Sequence, residues 1–153
     1  MTGVAVETSL DFADAKAKLS ALSEADLSAI ADAAGALIED QTKLRLNDAK
    51  TAPDGTPWAA WSVAYAEKIA GKSARSLLIG VGNPGLLESI SNVTTGTDAI
   101  VGSNLIYAAI HQFGGDVEQG HAPIPARPYL GLSSEDEIAI TDLVSGKFEE
   151  LVQ

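Results

Sequence analysis

The sequence predicts an α+β domain, a small antiparallel β-sheet packed against one long helix and several shorter ones. Three patterns lead there. Leu27, Ile30, Ala34, Leu37, Ile38, Gln41 and Leu44 recur at helical spacing and form one apolar face. Residues 87–94 and 98–103 are two β-prone runs joined at Thr95-Gly96-Thr97, the pattern of a hairpin. Ile140, Leu143, Val144, Phe148 and Leu151 give a second amphipathic helix at the end of the sequence.

Taken in order, Val4, Val6, Thr8 and Leu10 alternate and predict a short strand. Residues 12–21 follow as a helix with Phe12, Ala15, Leu19 and Leu22 on one side. Ser23 and Asp26 form a capping box that starts the long helix, which is expected to run to about Ala49. Gly35 inside it costs roughly 1 kcal/mol relative to Ala, so it is expected to mark close packing. Pro53-Asp54-Gly55 is turn chemistry, because Pro presets one dihedral and Gly accepts a positive one. A short helix is expected around 62–70. A glycine-rich flexible loop follows over 71–85, around the apolar patch Leu77-Leu78-Ile79. After the hairpin, residues 105–113 read as a helix ended by Gly114-Gly115. Residues 116–125 read as an exposed loop and 126–132 as an edge strand, because Pro128 lacks an N–H. Ser134 and Glu137 form a second capping box before the last helix.

Composition sets the limits of function. The 153 residues suit one domain, 1–153, and the 46% hydrophobic share can fill a core. Aromatics are only 5%, so the core is modest and part of the stability is expected from neighbours in an oligomer. The net charge is −11. Residues 1–40 hold two Lys/Arg against eight Asp/Glu, residues 41–90 six against four, and residues 91–153 two against nine. General nucleic-acid binding is disfavoured, because its affinity comes largely from phosphate neutralisation. There is no cysteine, which removes disulfides and thiolate sites. Neither a secretory signal nor an eighteen-residue apolar run is visible, so a soluble protein made in a cytoplasm is expected, without a membrane partner.

A search for chemistry finds little. Gly71-Lys72-Ser73 has the tail of a phosphate-binding loop, but position 66 is Ala where that loop needs Gly, and the preceding residues are helical. His111 and His121 lie ten residues apart, with Asp116 and Glu118 between them. That is not the tight pair that places two zinc ligands on one helix face, although a loop can bring such residues together. A metal-dependent hydrolase using His111, Asp116, Glu118 and His121 is therefore the enzymatic alternative. Against it, His111 reads as a half-buried side chain ordering the turn at Phe113. The sequence lacks the G-x-S-x-G elbow of serine hydrolases. Glu135-Asp136-Glu137 is explained by a helix N-terminus, where negative charge offsets the macrodipole. Trp58 and Trp61 would suit base stacking. With only Lys50 and Lys68 near them, anchoring the loop on the core is the preferred reading. No enzyme activity, cofactor or metal is expected.

Three segments together resemble one family. They are Pro53-Asp54-Gly55-Thr56-Pro57-Trp58, then residues 107–115 (YAAIHQFGG), then residues 124–133 (IPARPYLGLS). In this order and spacing they look like the phage virion morphogenesis family, the tail-completion proteins of Mu-like and related contractile-tailed phages. The segment 79–87 departs from that pattern. The resemblance implies a structural neck or tail protein resembling a tail terminator: a homo-oligomeric ring, hexameric to match the tail, that caps the tail tube and ends its polymerisation. It implies contacts with the tube, with the sheath protein and with a head-side connector. Genomic DNA would pass through the ring without sequence-specific binding, past an acidic lumen. The place implied is the virion, at tail or neck, after synthesis in the bacterial host cytoplasm. A transient capsid-assembly factor is the structural alternative. The interface candidates are Trp58, Trp61, Tyr107, His111, Phe113, Gly114, Gly115, Arg127 and Tyr129. Arg127 is suited to a bidentate carboxylate pair, either within its own chain or with a neighbour.

Overall fold

The computed structural model describes residues 23–70, 76–80, 85–115 and 123–151. The expected strand at 4–10 and helix at 12–21 lie outside these residues, as do 71–75, 81–84 and 116–122.

Helix α1, Glu24–Leu44, begins as its sequence indicates. The Ser23 hydroxyl accepts from the Asp26 N–H, and the Asp26 carboxylate accepts from the Ser23 N–H at 2.9 Å. Two of the helix's orphan donors are satisfied in this way. The helix continues as a π-helical turn, Arg45–Ala49, closed by a bond of 3.0 Å from the Lys50 N–H to the Arg45 carbonyl. Lys50 then adopts a left-handed conformation at φ 54° and ends the element. Its ammonium donates to the Leu46 and Leu77 carbonyls, so a lysine near the tryptophans caps a helix C-terminus. Helices α2, Val63–Ile69, and α3, Leu86–Ser89, are short. Residues 87–89, expected to be strand, are helical, and Leu86 and Ser89 from this turn are buried under the sheet.

Strand β1, Ile90–Thr95, pairs antiparallel with β2, Asp98–Ser103, with Ile90 opposite Ser103 and Thr95 opposite Asp98. The turn places Gly96 first, at φ 60°, which a two-residue hairpin favours. Helix α1 lies on the face bearing Asn92 and Thr94. Gly35 permits the close approach there: a Cβ on it would stand 2.7 Å from the Asn92 Nδ2. Helix α4, Ala108–Phe113, is shorter than the expected 105–113. Helix α5, Ser134–Leu151, packs on α1. Its capping box is displaced by one residue from the expected Ser134/Glu137. Ser133 is the cap, and the Asp136 carboxylate accepts from the Ser133 N–H at 2.8 Å. The reason is tertiary, because the same Asp136 oxygen takes a bond of 2.7 Å from Arg45 in a buried ion pair.

The core sits where the π turn, α3, the base of the hairpin and α4 meet. Leu46, Ala52, Trp58, Leu86, Ile90, Ala108 and Tyr129 form it. Trp58 and Tyr129 are its aromatic members, which agrees with the modest core read from composition.

Candidate assembly interface

The three motif segments converge on one another. The turn after α1 is closed by the Ala52 N–H donating to the Thr56 carbonyl at 2.8 Å and by the Thr56 N–H donating to the Asp54 carboxylate at 2.9 Å. It delivers Trp58 into the core, where the indole N–H donates to the Pro128 carbonyl at 2.9 Å. Pro53 of the same turn packs on Gly131, whose φ of 141° suits glycine.

Residues 125–132 do not pair as a strand, which corrects the edge strand expected over 126–132. Their polar groups are met by α4 instead. The Gln112 amide oxygen accepts from the Tyr129 and Leu130 N–H groups at 2.9 and 3.0 Å, and its nitrogen donates to the Leu130 carbonyl at 3.0 Å. The Arg127 N–H donates to the His111 carbonyl. Tyr129, only 1% exposed, donates from its hydroxyl to the Ala108 carbonyl at 3.1 Å. Burial pushes that phenol above its usual pKa, so it remains a donor at neutral pH. Gly114, at φ 79°, turns the chain out of α4 so that Gly115 and Ile124 exchange two bonds of 2.9 Å. A Cβ on Gly114 would stand 2.9 Å from the Ala126 nitrogen. Residues 107–115 and 124–131 are thus one hydrogen-bonded unit, which gives the pairing of the two motifs a physical reason.

This unit divides the interface candidates. Trp58 and Tyr129 lie in the core, and Gly114 and Gly115 shape the backbone. Arg127 is 6% exposed. It donates from Nε to the Ala59 carbonyl at 2.8 Å and from Nη2 to the Ala60 carbonyl at 3.1 Å. Among the described residues it contacts no carboxylate, so the expected pair within its own chain does not form there, and the pair with a neighbour stands as a proposal. It ties the segment leading into α2 to residues 125–130. The buried ion pair is instead Arg45–Asp136. Arg45 also donates to the Tyr129 and Gly131 carbonyls, at 2.9 and 3.2 Å.

Trp61, Tyr107, His111 and Phe113 reach the surface. Phe113 is 79% exposed and the neighbouring Ile106 97%. Trp61, Tyr107 and His111 share a groove of about 630 Å³ with Tyr65, Leu78 and Ile79, and Arg127 lies in its wall. Trp61 meets Tyr65 edge to face, and Tyr107 meets His111 in the same way. The His111 Nδ1 is buried with no hydrogen-bond partner among the described residues. Desolvation, and then the Arg127 charge, push the imidazole below its ordinary pKa, so it is neutral at pH 7. The Leu77-Leu78-Ile79 patch was legible as apolar in sequence, but its partners across the groove were not. Gln112 was overlooked, although it lies inside the motif. Among the described residues no cluster of three His, Asp or Glu side chains is placed to hold a metal. His121, Asp116 and Glu118 of the hydrolase alternative lie outside those residues.

The sequence profile of the phage virion morphogenesis family matches residues 8–149. The chain belongs to that family. It is 38% identical over 99 residues to the Mu-like prophage FluMu G protein 2 of Haemophilus influenzae, covering 60% of this chain and 72% of that one. It is also 38% identical over 97 residues to the putative capsid assembly protein G of Escherichia phage Mu, covering 60% of this chain and 61% of the relative. The match thus spans less than two thirds of the phage Mu protein. No solved structure matches the chain. Family membership makes this a virion-associated protein with a structural or assembly role. No described helix is long and apolar enough to cross a membrane.

Proposed function

We propose that the chain is a tail-completion protein that caps the tail tube at the head–tail neck, ends tube polymerisation and helps join tail to head as a hexameric ring. The observation that carries this reading is apolar surface on the motif unit itself. Ile106 and Phe113 stand in solvent at the two ends of α4, beside a groove lined by Trp61, Tyr65 and Tyr107. Clustered apolar residues of this kind mark protein-contact surface. A ring is a head-to-tail contact whose rotation closes. In that ring the acidic excess of the chain faces the channel in part, and repels passing DNA. Tube, sheath and connector proteins are the partners.

A phage carrying a deletion of the gene tests the reading. Tails of uncontrolled length, unjoined to filled heads, are expected, with normal particles on complementation. Tails of normal length already joined to heads would overturn it. A second reading, a factor that acts transiently in capsid assembly, is favoured by the name of the phage Mu relative. Mass spectrometry of purified virions separates the two: a tail-completion protein is retained, whereas a transient factor is absent.

A further inference from the structure

The groove holds a feature that the fold does not use. Its lining is mainly apolar, yet Arg127 lies in its wall and His111, whose buried Nδ1 has no hydrogen-bond partner among the described residues, lines it too. Arg127 is buried to more than nine-tenths without a carboxylate among the described residues. A buried guanidinium that meets only carbonyls keeps its full charge uncompensated, and a carboxylate is the group that answers it in shape and sign. The fitting occupant therefore carries a carboxylate next to an aliphatic side chain.

We propose that a second copy of this chain fills the groove, presenting the face of α5 that bears Glu135, Ile138 and Asp142. The inference rests on the ring reading and names its contact. Spacings of three and four residues place these three side chains on one helix face. All three are exposed, with Ile138 at 62%. This is an aliphatic side chain held between carboxylates, in a region with nine acidic residues against two basic ones. Charge complementarity runs in the required direction, because the groove offers the cation and the helix the anions. Groove and helix face share no residue, so the contact can repeat head-to-tail and close into a ring. Ile138 enters against Leu78, Ile79 and Tyr65. A flanking carboxylate approaches the guanidinium.

The test uses the whole chain. Arg127 is a poor target because it also holds the fold, so Tyr65→Ser on the groove and Ile138→Ser and Glu135→Gln/Asp142→Asn on the helix are compared. Each should melt like the parent. Each is expected to weaken self-association at least tenfold in sedimentation velocity. Since the chain has no cysteine, Ser62→Cys and Asp142→Cys chains can be mixed under mild oxidation. Mixed disulfide dimers in excess of either homodimer are expected. A ring that forms normally from the Tyr65 and Ile138 variants would overturn this contact and leave the ring reading intact. Loss of assembly in the groove variant alone would show a different occupant and overturn the choice of α5. A parent chain that never self-associates, free or on purified tail tubes, would overturn both.

Discussion

Gly35→Ala sets two effects against each other in one residue. In an ordinary helix interior the change stabilises by about 1 kcal/mol, because Ala loses less backbone entropy. Here Gly35 is buried against β1, and the new Cβ would stand 2.5 Å from the Asn92 Cγ and 2.7 Å from its Nδ2. Asn92 has little room to withdraw. Its backbone N–H donates to Glu39 at 2.7 Å, and its side chain donates to the Asp32 carboxylate at 3.2 Å. Overpacking of this kind costs about 1–3 kcal/mol, and the shortness of the contact places it near the upper end. The net expectation is a loss of about 2 kcal/mol, or roughly 4–8 °C in Tm for a chain of this size. Combined with Asn92→Ala, which removes the obstruction, the same Gly35→Ala change should become stabilising by about 1 kcal/mol. Urea denaturation of the four proteins measures the cycle. Stabilisation by Gly35→Ala in the parent background would refute the packing account.

Three further perturbations follow from the same structure. Asp136→Ala strands the buried Arg45 guanidinium and is expected to cost about 3–5 kcal/mol in urea denaturation, whereas Lys147→Ala, breaking the exposed Lys147–Glu150 pair, should cost less than about 1 kcal/mol. Gly114→Ala drives a Cβ toward the Ala126 nitrogen at a positive φ, so a clear drop in Tm is expected, together with faster amide exchange at Gly115 and Ile124. His111, whose native pKa lies below its ordinary 6.5, should make the fold lose stability as pH falls below about 6.5, because the unfolded chain takes up the proton first. The slope should not exceed about 1.4 kcal/mol per pH unit from this one group. His111→Gln should flatten the profile between that window and the lower one, below about 4.5, where Glu39 titrates with a pKa lowered by Lys43.

What the sequence made legible was local. The Ser23/Asp26 box, the 3.6-residue repeat of α1, the Pro-Asp-Gly turn and the hairpin each depend on neighbours within a few residues, and each formed. Contacts across long separations were not legible. Asp136 caps α5 from its third position because Arg45, ninety-one residues away in sequence, holds it. That pull moved the cap from Ser134 to Ser133. Residues 126–132 have the composition of an edge strand, yet Gln112 and His111 take their backbone donors, so no ladder forms. Leu86–Ser89 became helical because Ser89 donates to the Leu86 carbonyl at 2.7 Å and joins the Ser103 hydroxyl at the hairpin base. Of the candidates named from the motif, Tyr107 and Phe113 are exposed and His111 is half-buried. The core position of Trp58 matches the preferred sequence reading, whereas the burial of Tyr129 and Arg127 was not visible, because a motif shows which residues act together and not which of them faces outward.

Imaging of the intact neck by electron cryomicroscopy tests the central claim most directly. The account expects one six-fold ring of this chain on the last layer of the tail tube, below the head connector, with acidic side chains outnumbering basic ones along its channel. A mature neck without this chain, or with it in any arrangement other than a closed ring on the tube, would contradict it.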